Sequence, residues 1–540
     1  MSIWQYKGRS FSVGELRHLD TDFQTSYRQV VQMYGDRTFV VSYEAGMRVQ
    51  KTFSEFDRDV QAVAHRLREI SDGVEVFITK SGNSYIHLVH IFAILLSNKV
   101  LFPLNPSETW EFVERQIHTI QKRVFVFVEA GDSVVRPNVS TFFEIVSNFG
   151  GHHGAEAMHL SSVSETSQKD LNSDFIYVMT SGSTGHSKIV RQRQSGVLSN
   201  ISGLIDHHRL YDGATIGTCL PIFHVNALEF SVMCSFFSGN KLVLWRELSI
   251  TSLAEQIVAD GVQIYSATPE LLRVVFHRAN RSTRWTGLRY FVSAASALST
   301  DVVGEGLKRT GVPIIQGYGL SEAVNFSTTL PVDLPSEAYR KLMIEVPYPS
   351  IGTEIWGNEV SIRNEQGDEL GENEVGEICV RGFNVMSGYV GHKSPDQFMR
   401  TGDVGYFKSF EGKKFFFISG RIKDVAKRYG ETVPLRDIDD FLLATGIDGF
   451  DCIAVAFPNC NTGEEIGLVC RTAGVSGDWR CLLEKRIELT PVYKRPKAIL
   501  IENVRPIRTA SGKPLRWKFV DDFGDLATEQ IGIRMRWLNG

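Results

Sequence analysis

Hydrophobic and polar positions along the chain follow two periods, one typical of amphipathic helices and one typical of buried strands. Segment 52–70 places its apolar residues on one helical face, and Thr52 with Glu55 three residues later forms a capping box at its start. Short apolar runs at 74–79 and 123–130 predict buried strands. Because the two patterns alternate over most of the length, we predict a layered α/β architecture.

Two further segments refine this prediction. Segment 263–272 predicts a strand that turns into a helix, with Thr268 as the cap and Pro269 in the first helical turn. Segment 87–96 is the most apolar stretch, but it is about half as long as a membrane span. We therefore interpret it as a buried helix and expect no membrane span.

The pattern changes near residue 420. Segment 401–424 has the glycine-punctuated alternation of β-hairpins, and the residues after it are numerous enough to form a domain. A chain of 540 residues also exceeds what one hydrophobic core usually holds. We predict a large N-terminal domain over residues 1–420 and a small C-terminal domain over residues 421–540.

Composition and charge exclude several functions. The 58 basic and 62 acidic residues give a net charge of −4, without the basic excess typical of proteins that bind nucleic acid. The first residues carry charges where a signal peptide would be apolar. The seven cysteines are odd in number and lack CxxC spacing, so they predict neither a disulfide framework nor a zinc site. A reducing, cytoplasmic compartment is expected.

The run TSGSTGHSK, residues 180–188, is the first candidate for chemistry. Its composition suits a flexible linker, but it lies directly after the apolar run 175–179 and directly before another, where a linker is not expected. Gly182 and Gly185 allow the backbone amides to turn inward as an anion-binding nest, and Lys188 adds a positive charge. A Walker P-loop is excluded because the lysine lacks the preceding glycine and the following Ser or Thr. The run therefore predicts a phosphate-binding loop.

This loop and six later segments together resemble one family. The loop matches the pattern TSG[ST]TGxPK of the adenylate-forming superfamily, except that Ser187 replaces proline. That superfamily includes acyl-CoA and aryl-CoA synthetases, luciferases and peptide-synthetase adenylation domains. The other segments follow in the family's order, and they are PIFHVNAL at 221–228, VSAASAL at 292–298, QGYGLSEA at 316–323, TGD at 401–403, GRIKDVAKRYGETVPLRDID at 420–439 and RPIRTASGKPLR at 505–516.

The resemblance implies a fold and an ATP site. The fold would be a large N-terminal domain of stacked α/β subdomains, followed by a small α+β lid. Tyr318 would offer a face on which adenine stacks, and Asp403 would accept both ribose hydroxyls together with Arg421. The residues implied for ATP binding are Thr180, Ser181, Gly182, Ser183, Thr184, Gly185, Lys188, Ala294, Gly317, Tyr318, Gly319, Ser321, Asp403 and Arg421.

The resemblance also implies catalytic roles. Glu322 is a hard oxygen ligand suited to a Mg²⁺ ion that bridges ATP phosphates. Lys513 would neutralise charge where the carboxylate of the substrate meets the α-phosphate. His224 would lie at the mouth of the acyl pocket. The lid would then rotate about Lys423 and present its other face, with Tyr429 and Gly430, for the second step.

The expected reaction joins a small-molecule carboxylic acid to an acceptor through an acyl-adenylate, with ATP and Mg²⁺ as cofactors. Most stand-alone relatives of this length use the thiol of coenzyme A, so coenzyme A or a carrier phosphopantetheine is the expected acceptor. Tyr429 would narrow the tunnel for a pantetheine arm, and Gln194 stands where relatives usually carry histidine. An amide ligase that joins the acid to an amino acid, similar to coronafacate ligase, therefore stays open as the alternative.

The acyl pocket is expected around Val225, Asn226 and Ser293, in two stretches that are mostly apolar. Asn226 and Glu229 are the candidates for polar contacts in it. No acidic residue is obviously placed to bind the ammonium group of an amino-acid substrate. This composition favours a plain apolar or aromatic acid.

Overall fold

A computed structural model of the chain describes residues 4–6, 9–11, 22–44, 47–70, 73–128, 145–147, 171–180, 188–211, 213–246, 252–279, 283–392, 398–428, 431–443, 449–475, 478–508, 514–528 and 535–538. These residues form two compact units. The first unit comprises the described residues up to 360 and those of 380–399, and the second comprises those of 361–379 and those from 400 onward.

The helices of the described residues are mostly short and amphipathic. They are α1 Phe23–Tyr34, α2 Phe53–Ile70, α3 Tyr85–Leu96, α4 Trp110–Ile120, α5 Gln194–His208, α6 Cys234–Phe237, α7 Leu253–Ala259, α8 Pro269–Arg278, α9 Thr300–Thr310, α10 Ser336–Met343, α11 Leu435–Leu443 and α12 Trp479–Glu488. A π-helical segment, Asn226–Met233, runs directly into α6. Single 3₁₀ turns lie at Ser321–Ala323, Ile422–Asp424, Val492–Lys494 and Arg516–Lys518, and a longer one lies at Asp521–Leu526.

The strands alternate with these helices. They are β1 Trp4–Tyr6, β2 Arg9–Phe11, β3 Thr38–Glu44, β4 Met47–Thr52, β5 Val76–Lys80, β6 Val100–Leu104, β7 Val124–Val128, β8 Ile145–Ser147, β9 Asp174–Met179, β10 Ile189–Arg193, β11 Thr215–Thr218, β12 Lys241–Trp245, β13 Ile264–Ala267, β14 Tyr290–Ser293, β15 Ile314–Gly319, β16 Phe326–Thr329, β17 Thr353–Glu354, β18 Asn358–Arg363, β19 Gly376–Gly382, β20 Met399–Phe410, β21 Lys413–Arg421, β22 Val425–Arg428, β23 Glu431–Pro434, β24 Asp451–Asn459, β25 Gly463–Arg471, β26 Ala498–Ile501 and β27 Arg536–Leu538.

Two large sheets organise the first unit. One has the order β10-β9-β6-β5-β7-β8, and the other has the order β17-β16-β15-β14-β13-β11-β12-β3-β4. The central pairs of both sheets are parallel, whereas β9 with β10, β15 with β16 and β3 with β4 are antiparallel. Strands β5 and β6 are buried along their whole length, as expected for parallel strands that are covered on both faces. The predicted α/β fold class is confirmed.

Local predictions from the sequence are confirmed in this unit. The backbone N–H of Thr52 donates to Glu55 Oε2 at 2.8 Å, and the N–H of Glu55 donates to Thr52 Oγ1 at 3.1 Å, so the capping box is formed. The Thr268 hydroxyl accepts from the N–H of Leu271 and caps α8.

Helix α3 is the buried helix that segment 87–96 predicts. It contacts β3 of the nine-stranded sheet and β5 and β6 of the six-stranded sheet, so it lies between the two sheets. A helix that is covered on all sides must be apolar on all sides, which explains its composition. None of the helices in the described ranges has the length and apolarity that crossing a membrane would require.

The second unit contains a hairpin of β20 and β21 and a mixed sheet. The sheet has the order β23-β22-β25-β26-β27, and β24 also pairs with β25. Alternate residues of β24 enter two cores, because successive side chains of a strand point to opposite faces. Cys452 and Ala454 pack against helices α11 and α12, while Val455 and Phe457 pack against the last 3₁₀ turn near Phe523. The predicted boundary near residue 420 stays a prediction.

Candidate functional site

The predicted phosphate loop connects two antiparallel strands. Met179 at the end of β9 is the register partner of Ile189 at the start of β10. The N–H of Thr180 donates to the carbonyl of Lys188 at 2.9 Å, and the N–H of Lys188 donates to Thr180 Oγ1 at 3.1 Å. These bonds close the base of the loop, so Thr180 and Lys188 are held at its two ends.

Tyr389 links the end of this loop to the predicted metal ligand. The ammonium of Lys188 lies 4.7 Å from the centre of the Tyr389 ring. The Tyr389 hydroxyl donates to Glu322 Oε1 at 2.9 Å. Burial, reinforced by the neighbouring Glu322 carboxylate, raises the pKa of Tyr389 well above its usual value, so the hydroxyl remains a protonated donor. Lys188 and Glu322, far apart in sequence, are thus brought to one place.

The motif that carries Glu322 depends on two glycines. A Cβ on Gly317 would lie 2.4 Å from the Phe326 ring, and one on Gly319 would lie 1.6 Å from the carbonyl oxygen of Asn325. A side chain cannot approach a backbone carbonyl so closely, so position 319 requires glycine, and a side chain at position 317 would require the buried Phe326 ring to move. The absence of side chains at these glycines allows strand β16 to pack closely against them. Their role in binding a nucleotide stays a prediction.

The backbone around Glu322 is held by hydrogen bonds from two other segments. The side-chain amide of Gln192, on β10, donates to the carbonyls of Ser321 and Val324, each at 3.1 Å. The N–H of Met386 donates to the carbonyl of Glu322 at 2.8 Å, and the amide of Asn384 donates to the carbonyl of Ala323 at 2.7 Å. Four successive carbonyls are therefore satisfied by residues outside the turn.

Val324 adopts a backbone conformation that β-branched residues rarely take. Its φ is 64° and its ψ is −70°, and the N–H of Asn325 donates to the carbonyl of Ala323 at 2.7 Å across it. This γ-turn is strained, with a cost of about 1–3 kcal/mol for such a residue. The surrounding hydrogen bonds hold the strained turn in place.

The predicted residues of VSAASAL and QGYG lie at neighbouring strand ends. Ser293, the last residue of β14, is the register partner of Gln316 on β15, and both strands are parallel. Ligands of α/β sheets bind at the carboxyl ends of parallel strands. Ala294 and Tyr318 are buried beside this end, and the Ser293 hydroxyl has no hydrogen-bond partner among the described residues.

The predicted acyl-pocket segment is π-helical. His224 is exposed, with its ring 4.5 Å from that of Phe223, and desolvation lowers its pKa. Asn226 and Glu229 are buried, and neither side chain has a hydrogen-bond partner in the described part of the chain. Burial raises the pKa of Glu229 well above its usual value. Val225 lies at the start of this segment and is half-buried.

The second unit pairs the two predicted ribose contacts with each other. Asp403 on β20 and Arg421 on β21 are register partners, and the Arg421 guanidinium lies 2.8 Å from Asp403 Oδ1. Gly402 has a φ of 75°, and its N–H donates to Glu377 Oε1 at 2.9 Å. The positive φ favours glycine before Asp403, which is how the TGD motif positions the carboxylate.

The predicted hinge residue, Lys423, lies in the 3₁₀ turn Ile422–Asp424 that directly follows β21. Asp424 in this turn pairs with Arg516 at 3.3 Å, and Arg516 also pairs with Asp439 on α11 at 2.5 Å. Arg516 is buried, so it anchors the turn to the interior of the second unit. Eight predicted site residues lie outside the described residues, namely Ser181, Gly182, Ser183, Thr184, Gly185, Tyr429, Gly430 and Lys513.

Residues 27–390 match the protein family described as AMP-binding enzyme, which is well over half of the chain. The chain belongs to this family. The resemblance to the adenylate-forming superfamily is thereby confirmed.

Relatives of this AMP-binding enzyme are similar over most of their length. "Probable CoA ligase CCL9" from Humulus lupulus is 25% identical over 480 residues, which cover 83% of this chain and 89% of that protein. ATP-bound MatB from Rhodopseudomonas palustris superposes with a TM-score of 0.78 at 20% identity, over 93% of this chain and 99% of that one. O-succinylbenzoate coenzyme A synthetase (MenE) from Bacillus subtilis, in complex with ATP and magnesium ion, gives 0.76 at 19% identity, over 92% and 99%. At these identities the structures establish the fold.

The residues of this AMP-binding enzyme fit one divalent cation beside a nucleotide. In the part of the chain that the structure describes, no three His, Cys, Asp or Glu side chains gather as a metal site. Mg²⁺ is typically held by one or two carboxylates together with phosphate oxygens and waters, so a single carboxylate suits it. Glu322 fits this role, because Tyr389 fixes Oε1 and no described residue donates to Oε2.

Proposed function

We propose that this AMP-binding enzyme is an ATP-dependent carboxylic acid ligase. It forms an acyl-adenylate and then transfers the acyl group to a thiol, either that of coenzyme A or that of a carrier phosphopantetheine. The observation that carries the proposal is the joining of Lys188 and Glu322 through Tyr389. A cation at the end of a glycine loop and a fixed carboxylate are what binding of a metal-bound triphosphate requires.

In the proposed site, the loop 180–188 binds the phosphates of ATP through backbone amides, hydroxyls and Lys188. Tyr318 and Ala294 lie at the carboxyl ends of parallel strands, where the adenine would bind, with Tyr318 as the stacking face. Ser321 contacts the α-phosphate through its hydroxyl. Glu322 holds Mg²⁺, which when bound neutralises charge on the phosphate oxygens. Asp403 accepts from the ribose hydroxyls, with Arg421 beside it.

The first step brings two anions together. An oxygen of the substrate carboxylate forms a bond to the α-phosphorus, the bond from that phosphorus to the bridging oxygen breaks, and pyrophosphate leaves. Lys513 is the proposed catalytic cation that stabilises the charge between carboxylate and phosphate. His224, with Val225, Asn226 and Ser293, lines the approach of the acid.

In the second step the acceptor thiol gives up its proton to solvent and its sulfur forms a bond to the acyl carbon, while the bond from that carbon to the adenylate oxygen breaks, which releases AMP. We propose that the segment with Tyr429 and Gly430 serves this step after rotation about Lys423. Coenzyme A is the favoured acceptor because relatives such as CCL9 and MenE carry coenzyme A ligase or synthetase names.

The replacement of histidine by Gln194 has a structural explanation that does not involve the acceptor. Gln194 is buried, and its Oε1 accepts from the N–H of Phe23 at 3.1 Å, which fixes the start of α1. This contact gives Gln194 a structural role, and the choice between a thiol and an amine acceptor stays a prediction. The role of Tyr429 is tested by the choice of acceptor below.

ATP–pyrophosphate exchange with a panel of carboxylic acids tests the proposal. Exchange with at least one acid, followed by AMP release on adding coenzyme A, is the expected result. Glu322→Gln should lower exchange at limiting Mg²⁺ by at least about 10-fold. Glu337→Gln, at an exposed glutamate paired with Lys341, is the matched control and should change nothing. Release of AMP by amino acids but not by coenzyme A would establish the amide ligase instead.

A further inference from the structure

Tyr389 occupies a position between two residues of the proposed ATP site. Its hydroxyl donates to Glu322 Oε1 at 2.9 Å, and its ring lies 4.7 Å below the Lys188 ammonium. Tyr389 lies outside the sequence motifs that predict the site. The contacts nevertheless join the end of the phosphate loop to the proposed metal ligand through a single side chain.

The backbone of Tyr389 is fixed against strand β10. Tyr389 forms an antiparallel bridge with Val190, and the N–H of Val390 donates to the carbonyl of Ile189 at 2.9 Å. The N–H of Arg191 donates to the carbonyl of Gly388 at 3.0 Å. Because β10 begins directly after Lys188, the same strand fixes the positions of the Tyr389 ring and of Lys188.

The opposite end of the Tyr389–Glu322 bond is equally fixed. The carbonyl of Glu322 accepts from the N–H of Met386, three residues before Tyr389. Gln192, on the same strand β10, holds the carbonyls on either side of it at Ser321 and Val324. Both partners of the tyrosine–carboxylate bond are therefore held by β10 and by segment 384–390.

We propose that Tyr389 is a positioning residue of the ATP site. Its hydroxyl orients Glu322 toward Mg²⁺, and its ring holds the Lys188 ammonium in place. The inference rests on the proposed function. A carboxylate whose one oxygen is fixed by a hydrogen bond presents the other in a defined direction, and such outer partners typically contribute about 10–100-fold in metal affinity. A cation over a ring at an exposed position contributes only a few-fold.

The two contributions can be separated by calorimetry of ATP binding, with and without Mg²⁺. Tyr389→Phe keeps the ring and removes the hydroxyl, so it should raise the Mg²⁺ concentration for half-maximal enhancement of ATP binding about 10-fold. It should leave metal-free ATP affinity unchanged. Tyr389→Leu removes both contacts and should also weaken metal-free ATP binding about threefold, because the Lys188 ammonium loses its contact with the ring.

Tyr211→Phe is the matched control, since the exposed Tyr211 hydroxyl also binds a carboxylate, Asp206, at 3.0 Å. It should change neither affinity. An unchanged Mg²⁺ requirement in Tyr389→Phe, or wild-type ATP binding that is independent of Mg²⁺, would overturn the inference. If calorimetry gives the expected pattern while no acid supports exchange, the proposed ligase activity fails and the role of Tyr389 stands.

Discussion

Replacing Gln192 by methionine removes the side-chain amide that holds the turn around Glu322 and keeps a side chain of nearly the same shape. The amide donates to the buried carbonyl of Val324 and to the partly buried carbonyl of Ser321. A buried polar group that loses its partner costs about 1–3 kcal/mol, so the loss at the Val324 carbonyl should destabilise the first unit by about that amount. Because Val324 is strained, the freed turn should also relax and carry Glu322 away from Tyr389.

Gln194→Met is the matched control for this substitution. Gln194 lies two residues further on and is equally buried, but it accepts a single hydrogen bond, from the N–H of Phe23. Its loss should cost about 1–3 kcal/mol without moving Glu322. Chemical denaturation measures both changes in the same unit of the protein.

The decisive assay is pyrophosphate exchange as a function of Mg²⁺ concentration. Gln192→Met should raise the Mg²⁺ concentration for half-maximal rate about 10-fold, while Gln194→Met should leave it unchanged. Equal Mg²⁺ requirements in the two variants would refute the reasoning, since the effect of Gln192 would then be general destabilisation and not the placement of Glu322.

Three further predictions concern other parts of the chain. Gly319→Ala should abolish Mg²⁺-dependent ATP binding measured by calorimetry, because its Cβ would lie 1.6 Å from the Asn325 carbonyl oxygen; retention of binding would contradict the required approach. Lys513→Ala should lose about 10²–10³-fold in pyrophosphate exchange yet still convert supplied acyl-adenylate at a near wild-type rate, and equal losses in both half-reactions would contradict its assigned role. Glu229→Gln should remove a pH dependence of the free energy of unfolding. Burial raises the pKa of Glu229, so the folded state binds the carboxyl proton more tightly than the unfolded state does. The stability that this proton contributes is present below the unfolded pKa and is lost as pH rises, by up to about 1.4 kcal/mol per pH unit. If the free energies of unfolding of wild type and variant change equally with pH between pH 5 and pH 8, this prediction is wrong.

The sequence predicts local features of the fold because they depend on neighbours within a few residues. The capping box of Thr52 and Glu55 and the capped start of α8 at Thr268 arise from side chains three residues apart, and the buried helix α3 arises from a continuous apolar run. The π-helical segment Asn226–Met233 was not predicted. It differs from an α-helix only by a hydrogen bond that spans one more residue, and no residue type in this segment marks that difference.

The candidate site shows the same limit at longer range. The motif QGYGLSEA identifies Glu322, and its glycines are required for the approach of β16, but the motif does not hold the glutamate in place. Its carbonyls are satisfied by Gln192 and by Asn384 and Met386, from segments far away in sequence. Tyr389 has the same origin, since its contact with Glu322 exists only because β10 and segment 384–390 pair.

It follows that the motif alone is insufficient to place the proposed metal ligand. A chain with QGYGLSEA but with an apolar residue at the position of Gln192 would leave the carbonyls of Ser321 and Val324 without this donor, and an unpaired buried carbonyl is rarely tolerated. Such a chain needs another donor or a different turn, and in a different turn Val324 would no longer need its positive φ. The placement of Glu322 is therefore a property of β10, of segment 384–390 and of the motif together.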